Sequence, residues 1–231
     1  EENGEFVVFG DAKQNLYNRP IGTDGNVRLD IIGGRWNNTL NKGMRFLTPQ
    51  LTSLAKHFQQ EFLSNIDVDE IETSQELQFD NKCIQYSLVD SKTNYQNIVE
   101  MCVKIISDNR LEYRDVVILM QDNEPARELD YVVRQNCQIC TSCTAEKKET
   151  FEYLEHQYGV NTRKFQIERD HIRGIKRREF SIDSNSLKIS TIKSFKGLEQ
   201  NNVILILPHS MNNHSEVYVG ITRARERLFI I

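Results

Sequence analysis

The chain has 231 residues, with 29 Lys+Arg against 33 Asp+Glu for a formal net charge of −4, 39% hydrophobic residues and five Cys. That composition excludes fibrous and collagen-like classes, and the absence of any long apolar run argues against a membrane partner. A chain of this length buries a continuous core without staples, while an odd cysteine count and an acidic start, Glu1-Glu2-Asn3-Gly4, predict free thiols and a cytoplasmic protein.

In chain order, Phe6-Val7-Val8-Phe9 reads as a lone apolar strand ending in the turn Gly10-Asp11, and residues 10–43 are rich in Gly and Asn with little periodicity. Thr48-Pro49 reads as an N-cap followed by a first-turn proline, after which Leu51, Leu54, Ala55, Phe58 and Phe62 share one helical face. Residues 83–89 read as a strand, and Ile98, Val99, Cys102, Ile105 and Ile106 mark a helix ending near Asn109. Residues 115–120 read as a buried strand whose run Val-Val-Ile-Leu-Met is continuous, the pattern of a strand covered on both faces, which points to a parallel sheet. Asn123 and Pro125 open a third helix, residues 137–141 are short and strand-like, and residues 145–158 are helical again. Strands are predicted at 187–192 and 203–207, a helix at 216–224 and a last strand at 228–231. Repeated β-α units of this kind indicate a doubly wound α/β fold.

Residues 159–185 exceed what a helix-to-strand connection needs and are predicted to be an insertion or an excursion of the loop. Within them, residues 163–179 hold seven Lys/Arg against three acids, whereas residues 61–80 are acidic and contain no base. One face is therefore expected to be basic, a solvated surface or a nucleic-acid contact, and another acidic.

Three stretches combine chemistry with a position at the edge of a strand, where α/β folds place ligand groups at the carboxyl side of the sheet. They are Gly10-Asp11-Ala12-Lys13-Gln14-Asn15-Leu16-Tyr17, Thr191-Ile192-Lys193-Ser194-Phe195-Lys196-Gly197-Leu198-Glu199 and Tyr218-Val219-Gly220-Ile221-Thr222-Arg223-Ala224-Arg225. In order and rough spacing they resemble motifs III, V and VI of superfamily 1 DNA helicases of the UvrD/Rep type. Gly43-Met44-Arg45-Phe46 is a weaker likeness to motif IV.

The resemblance implies a RecA-like parallel sheet with helices on both faces. It places the end of a first motor domain at residues 1–38 and a second motor domain at 39–231, with residues 159–185 in place of a large accessory domain. It also implies an ATP-dependent helicase, translocating 3′ to 5′ on single-stranded or partly duplex DNA. Arg45 and Arg223 would be presented to the γ-phosphate of ATP, a role suited to a planar and permanently charged guanidinium. Gln14 would sense that phosphate or orient the attacking water. Met44, Gly197 and Glu199 would lie against the nucleotide, Glu199 accepting a hydrogen bond from the ribose and Met44 standing where the family has an adenine-stacking aromatic. Tyr17, Lys193 and Lys196 would meet DNA, Tyr17 by stacking on a base and Lys193 standing where the family usually has His.

No Gly-x-x-x-x-Gly-Lys-[Ser/Thr] loop occurs in the sequence. The resemblance therefore assigns the phosphate loop and the Mg²⁺ ligands to a first motor domain acting as partner, and this stretch alone is expected to be inactive. A noncatalytic nucleic-acid or protein docking module with the same fold is the alternative. Cys137-x-x-Cys140-x-x-Cys143 invites a zinc site, but strand alternation would turn Cys137 and Cys140 to opposite faces, so no metal ligand is assigned.

Overall fold

A computed structural model describes residues 48–63, 83–90, 93–209 and 213–231. The expected strand near residue 6, together with Gln14, Tyr17, Met44, Arg45 and most of the acidic stretch, lies outside the described residues. The elements in order are α1 (Pro49–Phe62), β1 (Ile84–Tyr86), α2 (Tyr95–Asp108), β2 (Val116–Met120), α3 (Asn123–Asn136), β3 (Thr141–Cys143), α4 (Lys148–Tyr158), α5 (Arg163–Glu179), β4 (Leu187–Thr191), β5 (Gln200–Leu205), α6 (His214–Ile221) and β6 (Ala224–Ile230). The six strands pair in parallel in the order β1-β6-β5-β2-β4-β3, the doubly wound α/β arrangement that the alternation predicted.

The centre of the sheet explains its unbroken apolar sequence. Successive strand residues point to opposite faces, so β2 feeds two cores at once. Val116, Ile118 and Met120 pack with Val99, Cys102 and Ile106 of α2 and with Ala126, Leu129 and Val133 of α3. Val117 and Leu119 pack on the other side with Leu51 of α1 and with Val217, Val219 and Ile221 of α6. All five β2 side chains are buried, each contributing about 1.5–3 kcal/mol of transfer free energy. Helices thus cover both faces of the layer.

Local signals set the helix ends. The Asn94 side chain accepts from Asn97 N at 2.9 Å to open α2, and Thr162 Oγ1 accepts from Phe165 N at 3.2 Å to open α5. Thr48 stands at the N-cap of α1 as predicted, yet its hydroxyl donates to Glu226 O at 3.5 Å instead of capping, which ties α1 to β6. Three expectations shift. The short strand begins at Thr141, because Cys137 is still the C-cap of α3 and Gln138 takes a left-handed φ of 55°. β5 begins earlier than expected, at Gln200, because its polar start is satisfied by neighbours, Asn202 Nδ2 donating to Asp115 O at 3.1 Å. β6 likewise takes in Arg225 and Glu226, so α6 ends at Ile221 and a tight turn replaces its expected last residues.

The predicted loop excursion at 159–185 is mostly helix. Gly159, at φ 76°, ends α4, and α5 follows with Phe165 as its one buried residue. So narrow an apolar stripe leaves almost no periodic signature in the sequence.

Candidate functional site

In a parallel sheet all strands start on one edge and finish on the other. Residues 192–199, between β4 and β5, therefore cross the layer in one short link. Thr191 Oγ1 accepts from Ser194 N at 3.1 Å, Phe195 is buried as the anchor of the link, and Leu198 N donates to Phe195 O at 3.0 Å. Gly197 has φ 91°, a backbone conformation that disfavours any side chain, and this accounts for glycine between Lys196 and Leu198. The link delivers Glu199 to the start of β5.

From the other direction, α6 lies close on the sheet. A Cβ on Gly220 would stand 2.8 Å from Leu205 Cδ1, so glycine permits the approach. Thr222 N donates to Tyr218 O at 3.0 Å and Arg223 N to Gly220 O at 3.2 Å, turning the chain into β6. The Arg223 side chain is only 1% exposed, and its Nε donates to Val219 O at 3.0 Å, Nη1 to Leu198 O at 3.2 Å and Nη2 to Thr222 Oγ1 at 3.1 Å. Gln200 N donates to Arg223 O at 3.0 Å. The second and third motif-bearing stretches are thus bonded directly to each other at the amino edge of β5 and β6.

Lys193 lies at the opposite edge, just past the end of β4. Its Nζ is 3.6 Å from Glu216 Oε2, with the Lys193 side chain 41% exposed and the Glu216 side chain 1% exposed. Glu216 stands in the first turn of α6, where its N–H donates to Asn213 Oδ1 at 3.2 Å. Burial pushes its carboxyl above the ordinary glutamate range against the pull of Lys193, and Asp122 adds to the rise. Lys196 and Gly197 are exposed within the link. The sequence placed every motif at the carboxyl edge. The structure divides them, with Lys193 at that edge, Glu199 and Arg223 at the amino edge, and Lys196 and Gly197 on the crossing.

Residues 167–231 match the family model of the UvrD-like helicase C-terminal domain. Over this stretch the chain is similar to UvrD-like helicases. The matched part takes in most of α5 and all of β4, β5, α6 and β6, so both edges just described fall inside it. A solved structure described as the C-terminal domain of a possible DNA helicase from Lactobacillus plantarum WCFS1 is similar at 12% identity and a TM-score of 0.47, over 81% of this chain and 86% of that one. No curated protein matches the chain.

Of the cysteines, Cys137 caps α3 and Cys140 is exposed, while Cys143 lies in β3, where burial, with Asp130 adding to it, pushes its thiol up to about 12. Among the described residues no group of three or more His, Cys, Asp or Glu is placed to hold a metal ion. Among the described residues no helix is long and apolar enough to cross a membrane. Sequence reasoning passed over Glu216. Asn213-His214-Ser215-Glu216 has the spacing of a capping box, a signal of helix start that gave no hint of a buried acid facing Lys193.

Proposed function

We propose that this chain forms the second motor half of an ATP-driven translocase on single-stranded DNA, with its two sheet edges serving two different ligands. The observation that carries the reading is the Arg223 Nη1 to Leu198 O bond, which joins the Thr222-Arg223 turn to the Leu198-Glu199 end of the link at the amino edge. In this reading Arg223 neutralises charge on the phosphates of a nucleotide held by the first motor domain, and Glu199 accepts from its ribose. Arg45 and Gln14 are proposed to join them, and Met44 and Gly197 to lie against the nucleotide.

The donor set present fits the anionic end of a nucleotide rather than its metal. Arg223 is a permanent cation, and the described residues contain no acid cluster suited to Mg²⁺. ATP with Mg²⁺ supplies the phosphoryl group whose transfer drives the cycle. Arg223 is buried and spends three of its five guanidinium N–H donors on Val219, Leu198 and Thr222, so in this reading a phosphate that competes for Nη1 loosens its hold on Leu198 O and with it the link. That exchange transmits the state of the nucleotide along residues 192–199 to Lys193 on the other edge. Lys193 and Lys196, with Tyr17, are proposed to meet the DNA backbone and bases, and net translocation 3′ to 5′ follows the family pattern.

The purified 231-residue chain is expected to bind oligothymidylate, as read by fluorescence anisotropy, and to hydrolyse no ATP with or without DNA. DNA-stimulated turnover by the chain alone would overturn the half-site reading. A noncatalytic docking module with the same fold is the second reading, and both readings expect these 231 residues to lack a phosphate loop. The second requires that ATP turnover stay absent in the complete protein.

A further inference from the structure

We propose that Glu216 is a positioning residue for Lys193, holding it at the carboxyl edge and competing for it with a nucleic-acid phosphate, and that Glu216 takes up a proton from solvent when Lys193 departs. This rests on the assignment of Lys193 to the nucleic-acid backbone and deepens it.

Three observations carry the inference. Glu216 is fully buried, yet its Oε1 accepts no hydrogen bond, an unusual state for a buried carboxylate oxygen. Among the described residues its Oε2 receives only long contacts, from Asn213 Nδ2 at 3.4 Å and Lys193 Nζ at 3.6 Å. Lys193, in contrast, is substantially exposed at the edge where the strand ends leave room for a ligand. A capping box would instead turn the Glu216 carboxylate back onto the N-cap backbone, and here the carboxylate faces Lys193.

The exchange follows from these distances. A phosphate oxygen meets an ammonium at about 2.7–2.9 Å in a charge-assisted bond, shorter than the contact that Glu216 offers. Once Lys193 turns to the phosphate, a buried carboxylate is left with Asp122, a second acid at the N-terminus of α3, as its charged neighbour. An unpaired buried charge is costly, and binding one proton at the carboxylate removes it. The ionisable groups facing Glu216 are Lys193 from the β4 link, which holds the proton off while it stays, and Asp122 at the start of α3, which favours its uptake. Nucleic-acid affinity therefore falls as pH rises through the Glu216 titration, because the carboxylate form retains Lys193.

The test uses the 231-residue chain and a fluorescent oligothymidylate. Calorimetric titrations of the wild-type chain in two buffers of different ionisation enthalpy are expected to reveal net proton uptake on binding. E216Q is expected to bind several-fold more tightly at neutral pH and to lose most of the pH dependence. Absence of proton uptake by the wild-type chain, or an E216Q variant that binds more weakly or keeps the wild-type pH profile, would overturn the role of Glu216. The wild-type proton count decides the matter even where E216Q fails to fold. K193Q separates the two layers of the argument. If it leaves affinity unchanged, the assignment of Lys193 to phosphate fails; if it weakens binding while the wild-type chain takes up no proton, only the role of Glu216 fails.

Discussion

Gly220 sits where α6 presses on β5, and its lack of a side chain permits that close approach. A valine there would bring branched carbon against Leu205 and Ile192, where a Cβ alone already meets Leu205 Cδ1 at 2.8 Å. Leu205 can give a little, so overpacking is expected to cost about 1–3 kcal/mol in Gly220→Val, read as a lowered denaturant midpoint at unchanged m-value. Gly197 is constrained differently. Nothing lies within 4 Å of its would-be Cβ, and only its φ of 91° demands glycine. Gly220 thus answers to packing and Gly197 to backbone conformation, a distinction that the sequence alone does not contain.

At the scale of elements, α5 is held by charge more than by apolar contact. Glu146, fully buried just past β3, accepts from Arg127 Nη1 at 2.8 Å and from Arg173 Nη2 at 2.8 Å, with Arg173 Nε on its other oxygen. Arg127 also lies 3.8 Å over the Phe151 ring, so the network spans α3, α4 and α5. Burial alone would raise the Glu146 carboxyl, but Arg173 first and then Arg127 outweigh it and hold the group below the ordinary glutamate range. Removing the charge leaves two arginines facing each other, and Glu146→Gln is expected to cost about 3 kcal/mol, measured by chemical denaturation. The sign of the pH effect follows from the lowered value. The stabilisation is complete above the unfolded-state value of about 4.3 and is lost as pH falls below it through the folded-state value, so the wild-type chain loses more stability on acidification than the variant does. The helices with a wide apolar face, α1, α2 and α3, were legible from their period, and β2 from its unbroken apolar run. By contrast, α5 was not, because its place depends on Arg173 meeting Glu146 from a distant part of the chain. Glu216 was hidden for the same reason, since its partner Lys193 lies on another element.

For the molecule as a whole, motif order along the chain was readable while motif position in space was not. Residues 192–199 cross the sheet, so Lys193 and Glu199, within seven residues of each other, are dealt to opposite edges with Lys196 between them. That division lets one short link connect the turn proposed to face a nucleotide to the lysine proposed to face nucleic acid, and it is the arrangement on which the proposed motor rests. The most direct test compares the salt dependence of oligothymidylate binding for the wild-type chain, K193Q and R223K, each first checked for a native melting transition. K193Q is expected to weaken binding and flatten the slope of log affinity against log salt by about 0.7, the value for one phosphate contact on a single strand. R223K, on the opposite edge, is expected to leave both affinity and slope unchanged. Equal losses in the two variants, or a loss confined to R223K, would contradict the assignment of separate edges to separate ligands.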